Sequence, residues 1–347
     1  MINFLLKIKS LTGEEWEIPY SSFSFTEELN NDKSATVTLD FEVVEPVATT
    51  YNVTVEYILT ASFRELYIYD GTTKLYGGYI AEVSYQAGGN EKGTISITSK
   101  GFFSLFDKRF TDDGTICSYS STDASDIAWN LLNYSQGLSF GDFGIVRGAT
   151  GIPTKDRDRN CKYDNIADTI RKLSNTNVKD GFDFEITSDK VFNVYYPQAG
   201  TQKSNVIFEA DFNIASFSII RTFVDGMVNQ VIVGGNGQGE GQLISVRDAD
   251  SSYKSSFYLL QDKISETDVF DSTTLDDKGD KYLDLYKYPR NFIQSLETHY
   301  DEPLFSSYIL GDSVKIKIPS FNINDFFRVY KRTVKHDKTV VLEFQTL

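Results

Sequence analysis

The chain has 347 residues, 40% hydrophobic and 14% aromatic, with 26 Phe and 21 Tyr against 2 Trp. That length accommodates roughly two or three domains with a substantial core, and the aromatic content favours half-buried pleated surfaces. A net charge of −15 excludes a phosphate-binding surface of clustered Lys and Arg and docking on anionic lipid.

The opening segment (MINFLLKIKSLTGEEWEI) has too short an apolar run for a signal peptide. Lys7 and Lys9 interrupt it, and no small-residue cleavage site follows, so it reads as a first strand. No apolar run approaches the ~20 residues of a membrane span. Synthesis in a cytoplasm and the absence of a membrane anchor are therefore expected.

Residues 1–110 read as nearly pure β. Segments 23–26, 35–41 and 52–58 alternate with period two. Segments 66–69, 75–85 and 94–98 form an antiparallel meander with turns at 70–71 and 88–90. Thr122 and Asp123 cap a helix bearing Ala124, Ile127, Ala128, Leu131 and Leu132. Asn165 starts a second, with Ile166, Ala167, Ile170 and Leu173 on one face. Between them, 137–162 is a Gly- and charge-rich loop. Segments 182–187 and 191–195 form a hairpin turning at 188–190. Strands resume at 206–209, 214–221, 228–234 and 243–246. A last helix, 272–288, has apolar Leu275, Leu283 and Leu285 and exposed Asp276, Asp277, Asp280 and Asp284, and Pro289 ends it.

Segments 313–318, 326–335 and 339–344 then repeat the meander with a long middle strand. Ile80, Val83 and Tyr85 align with Val329, Tyr330 and Val334. Two similar β modules in one chain point to a role in rotational symmetry.

Candidate chemistry is thin. Glycines at 235–241 follow a strand but precede another strand, so they fit a hairpin loop rather than a dinucleotide loop. Asp156, Asp158 and Asn160 have calcium-loop spacing, yet Cys161 and Ala167 hold the positions that need Gly and Glu. The four aspartates at 276–284 fit a solvated helix face better than a cation site. His299 and His336 are the only histidines, so a two-histidine motif such as HExxH is absent. Cys117 and Cys161 fit a reducing compartment; a disulfide between them is allowed by count and not demanded by spacing. Neither cysteine has the flanking signature of a Cys–His nucleophile. The sequence holds 49 acidic residues, too many for carboxylate pairs to be informative. Asn52–Thr54 spells a glycosylation sequon with no secretion signal before it. No catalytic, cofactor-binding or metal residue is nominated.

The order of these blocks resembles the hub proteins of phage tail tips and baseplates. The resemblance rests on 228–235, 310–318, 328–334, and 77–83 followed by 94–100. It implies an α+β, mainly β fold: two tube-like antiparallel β-barrel domains, a small α/β insert and one or two further helices. The expected partition is 1–110 plus 205–235 for the first barrel domain, 111–204 for the insert, and 236–347 for the second, with a helical insertion near 272–288. It also implies a homotrimeric ring matching a six-fold tail tube to a three-fold tip. Its partners would be a distal tail protein or tail-tube ring, the tape-measure protein, and a tip, spike or receptor-binding protein. No specific nucleic-acid binding and no cofactor are implied. Since the sequence ends after the final meander, the C-terminal peptidase, lysozyme or receptor-binding extension of many relatives is not expected. A β-rich receptor- or carbohydrate-binding tail protein is the alternative, with an aromatic platform among Tyr195, Tyr196, Tyr253 and Tyr258; third is a wall-degrading hydrolase using Asp or Glu.

Overall fold

A computed structural model describes residues 4–60, 63–88, 93–115, 117–149, 154–174, 181–222, 227–250, 258–267, 269–287 and 290–345. The chain divides into two compact units, 1–215 with 297–343 and 216–296 with 344–347.

The first unit opens with β1 (Phe4–Ser10), β2 (Glu15–Glu17), β3 (Ser22–Glu28) and β4 (Ser34–Asp40). Every second residue of β1, β3 and β4 is buried, as a period of two requires for a sheet with one packed face. The strand expected at 52–58 is not formed. Helix α1 (Phe41–Thr50) precedes the segment and α2 (Val55–Leu59) occupies most of it. The Asp40 carboxylate accepts from the Glu42 N–H at 3.0 Å, and the Thr54 hydroxyl from the Tyr57 N–H at 3.0 Å. These caps satisfy N–H groups a helix leaves orphaned. Val44, Ala48, Val55, Ile58 and Leu59 are buried, which outweighs the alternation in the letters.

Next come β5 (Arg64–Asp70), the 14-residue β6 (Thr73–Gln86) and β7 (Thr94–Gly101), at the expected meander positions. Of the turn expected at 88–90, residues 89 and 90 lie outside the described residues. Arg64 is buried; its guanidinium donates to the carbonyls of Ile58 (3.1 Å) and Tyr57 (2.7 Å), covering the end of α2.

The α/β segment holds β8 (Ser118–Asp123), α3 (Ala124–Gly137), β9 (Val146–Arg147), β10 (Asp156–Asn160), α4 (Ile166–Ser174), β11 (Asp183–Ile186) and β12 (Val191–Tyr195). Asp123 caps α3, accepting from the Ser125 N–H at 2.9 Å. The apolar faces of both helices join one core with Phe103, Phe106, Phe184 and Phe192. Tyr67 of β5 belongs to that core too, so this segment packs continuously with the first meander. Cys117 and Cys161 are joined as a disulfide, Cα–Cα 5.1 Å.

Then follow β13 (Gln202–Glu209) and β14 (Ile214–Thr222), the latter leading into the second unit. There β15 (Gln230–Gly234) pairs antiparallel with β16 (Ile244–Asp248) and in parallel with β17 (Gln261–Ser265). Helix α5 (Ser272–Tyr286), capped by Asp271, buries Leu275 and Leu283 with Val231 and Val233. A Cβ on Gly279 would stand 2.4 Å from the Arg247 side chain, so the helix can approach β16 only with glycine there. Pro289 lies outside the described residues.

Strand β18 (Arg290–His299) returns to the first unit, and β19 (Ser313–Ile318), the 13-residue β20 (Ile323–Lys335) and β21 (Thr339–Gln345) follow. The two meanders share one sheet. From β21 onward its strands run β21-β20-β3-β4-β7-β6-β5-β1-β2. β19 pairs with the first half of β20, and β13 lies parallel to β19. Thus 202–209 hydrogen-bonds with the C-terminal meander, whereas 205–235 was expected with the first.

Candidate functional site: the open face and the seam of the long sheet

Where β20 meets β3, residues 331–335 pair with 24–28. On the side facing the core, the seam is ionic. Period two places Glu27 in line with Phe23 and Phe25, so the residue is only 4% exposed. Arg332 Nε donates to Glu27 Oε2 at 2.7 Å and Lys33 Nζ to Oε1 at 2.8 Å. Burial opposes ionisation of Glu27, but Arg332 and Lys33 together hold its pKa down at about 2. Further along β20, Arg328 pairs with Asp183 of β11. Asp183 also accepts from Asn30 Nδ2 (2.7 Å) and the Ala199 N–H (2.6 Å), while Arg328 Nε donates to the Gly311 carbonyl at 3.2 Å. Both side chains are almost wholly buried, and each has several partners, which a buried ion pair needs.

Asp32, between β3 and β4, is different. Arg171 of α4 reaches its Oδ2 at 3.2 Å and Asp107 at 2.9 Å. Asp32 Oδ1 is buried with no hydrogen-bond partner. Burial and the neighbouring Asp107 charge push the Asp32 pKa up to about 7 against the pull of Arg171.

The other side of this sheet is open. Directly opposed residues form rows across the strands: Lys335–Ser24–Thr36–Thr98–Glu82, Ser22–Thr38–Ser96–Ser84, and Asp40–Thr94–Gln86. A fourth row, Thr333–Thr26–Ser34–Lys100, ends at Tyr79, which stacks on Phe63 at 5.5 Å. Thr26 and Thr333 hydrogen-bond through their hydroxyls at 2.8 Å across the seam. None of the residues in these rows before Tyr79 is apolar, and none is buried. The lettering SFSFT, SATVTLD and TISITSK shows the alternation; which strands lie side by side is set by tertiary pairing.

Other sequence candidates are dispersed. The glycines at 235–241 connect β15 to β16, and Gly237 and Gly239 have φ of +102° and +58°. Asp156, Asp158 and Asn160 lie in β10, paired with β8, and Asp158 accepts from the Ser121 N–H at 2.8 Å. Arg247 binds Asp280 at 2.7 Å and Asp276 at 3.6 Å, and Lys287 pairs with Asp284. Among the described residues, no group of three His, Cys, Asp or Glu is arranged to hold a metal ion. His336 is exposed in the turn after β20, and His299 is exposed at the end of β18. The two sulfurs are buried and bonded to each other, so neither is a free nucleophile. Tyr195 donates to Glu185 at 2.6 Å and Tyr196 packs on the α/β core, and both are half-buried. Tyr258 is 90% exposed; Tyr253 lies outside the described residues. The seam ion pairs were not foreseen, although a glutamate in phase with Phe23 and Phe25 signals a buried charge in need of a cation.

No protein-family model matches the sequence. No curated protein matches it either. Solved structures do. A 43 kDa tail protein of prophage MuSo2 from Shewanella oneidensis superposes with TM-score 0.69 at 10% identity, covering 98% of this chain and 97% of its own. A tail protein from Neisseria meningitidis gives 0.67 at 11% identity, covering 99% and 97%. An Escherichia coli type VI secretion component, described as structurally similar to bacteriophage T4 tail proteins, gives 0.55 at 11%, covering 99% and 76%. Over nearly its whole length, this chain has the fold of phage tail proteins.

Proposed function

We propose that the chain is a structural hub of a phage tail tip or baseplate, acting as a homotrimeric ring. The observation that carries this reading is the single sheet joining both meanders, packed on one side and hydrophilic on the other. Each chain would supply two tube-like modules, so three chains would present six to a six-fold tube and three to a tip. The proposed partition keeps 1–110 as the first module and 111–204 as the insert. It assigns residues 205–209 of β13 and the C-terminal meander to the second module, with the helix near 272–288 inserted in 236–347. A distal tail protein or tail-tube ring would sit on one side. A spike, tip or receptor-binding protein would sit on the other. Tape-measure protein and then DNA would pass through. The role is positional rather than enzymatic, in a particle assembled in the host cytoplasm and retained in the virion.

Light scattering tests it. The chain alone should give about three times its 39.2 kDa mass, or, mixed with the tube or distal-tail protein of the same particle, a complex that contains three copies of it. A monomer alone that also stays unassembled beside those partners would sink the reading.

A further inference from the structure

Where β1 and β5 meet the α/β segment, the packing leaves a hole. Period two puts Glu65 and Tyr67 of β5 on the face turned toward that segment, and Lys9 of β1 stands directly opposite Glu65. Tyr67 joins the core, and Glu65 is buried beside it. The Glu65 carboxylate accepts from the Tyr67 hydroxyl and from Lys190 Nζ, both at 2.6 Å. Lys190 also donates to the Phe143 carbonyl at 3.0 Å and lies 5.0 Å from the centre of the Phe102 ring. Beside this pair is a cavity of about 450 Å³, walled by Phe63, Phe102, Leu105 and Phe143 and bordered by Lys9. That volume suits one small organic group.

The polar groups of the cavity are incompletely matched. An ammonium has three N–H groups, so Lys190 keeps one without an acceptor among the described residues. Lys9 has no ion pair among them, because Glu65 is taken by Lys190 and Glu15 by Lys7. Glu65, Lys190 and Lys9 thus sum to one positive charge, in a chain of net charge −15. Asp142 also borders the cavity, but it is exposed, and its carboxylate accepts from the Gly144 N–H at 2.7 Å.

The mouth is preformed. Gln136, buried at the end of α3, donates to the Ile145 carbonyl at 2.9 Å and accepts from the Ile145 N–H at 2.8 Å, which closes the loop 137–144. Inside the loop, the Gly141 N–H donates to the Leu138 carbonyl at 2.8 Å. Phe140 is held at φ +58°, a left-handed conformation costly for a bulky residue, with its ring wholly exposed at the rim.

We infer that this cavity binds an apolar carboxylate, with an aromatic or branched group against the phenyl walls and the carboxylate on Lys9 and Lys190. One carboxylate neutralises the surplus charge and supplies the missing acceptors, while the walls take the apolar body. The inference stands on the cavity and is independent of the hub reading.

Calorimetric titration of the full chain with N-acetyl-phenylalanine and with its C-terminal amide tests it. The acid should bind with a Kd of about 1 mM or tighter, and the amide at least about tenfold more weakly. Lys9→Gln should lower the affinity for the acid to that for the amide and leave the amide unaffected, which a misfolded variant would not do. Phe140→Ala should weaken both ligands alike. No binding of the acid, equal binding of acid and amide, or an unaltered acid affinity in Lys9→Gln overturns the inference. A short peptide ending in a free phenylalanine carboxylate separates two sources of the ligand. Tighter binding than N-acetyl-phenylalanine assigns the cavity to the chain end of a partner protein, and weaker binding assigns it to a free organic acid; either result upholds the site.

Discussion

Glu27 and Asp32 lie five residues apart and titrate in opposite directions. The Glu27 carboxyl is held at about 2, below its ordinary 4.5, so folding gains from its charge. That gain is complete above about pH 4.5 and fades as the pH falls toward 2. Asp32 is held at about 7, above its ordinary 3.8, so folding gains from its proton. That gain is complete below about 3.8 and is lost as the pH rises through 7. Urea unfolding from pH 3 to 8 should therefore show stability rising at the acid end from Glu27 and a decline toward neutrality from Asp32. Asp32→Asn should flatten the decline, since the amide is neutral throughout; an unchanged slope would remove Asp32 as its source. Glu27→Gln should cost roughly 3 kcal/mol at pH 7, by leaving Lys33 and Arg332 without their carboxylate, and a change of under ~1 kcal/mol would contradict the network. The phase of Glu27 was readable beside Phe23 and Phe25. The partners were not, because Arg332 is distant in sequence and only pairing of β20 with β3 brings it near.

At the level of elements, local patterns were legible where one signal dominated. The helices beginning at Ala124 and Ile166 and the meander strands combine clear periodicity with caps or turns. Residues 52–58 carry two signals, alternating letters and a capping threonine at Thr54. The cap prevails because the adjoining Asp40 also starts a helix and both helices bury apolar side chains. Asp40→Ala should lower stability by about 1 kcal/mol, read as a shift in the urea midpoint; no shift would mean that the cap is replaceable by water. The tie between β11 and β20 is stronger. Asp183→Ala should cost about 3–5 kcal/mol, as it strands a buried guanidinium. Arg328→Lys should recover only part of the wild-type stability, since an ammonium lacks the planar fork that also reaches the Gly311 carbonyl. Equal stability of Arg328→Lys and the parent would show that charge alone matters.

For the molecule as a whole, the repeat of the meander was readable from turn spacing, whereas its continuity was not. Nothing in the letters specifies that β20 docks on β3, and the hydroxyl face exists only through that docking and its neighbours. The Thr26–Thr333 contact spans 307 positions, so the seam is among the most non-local features of the fold, of the kind that slows folding. There is a consequence for biosynthesis. As the chain emerges from the ribosome, β3 can pair with β4 early, but its other edge has no partner until nearly all of these 347 residues have been made. During that interval the edge is a row of bare N–H and C=O groups able to recruit a strand from a neighbouring nascent chain. A chain cut after residue 318 should freeze the interval and aggregate at concentrations where the full chain stays dispersed, as turbidity would report. On a polysome carrying many nascent copies, prompt delivery of the last strands decides whether sister chains remain separate.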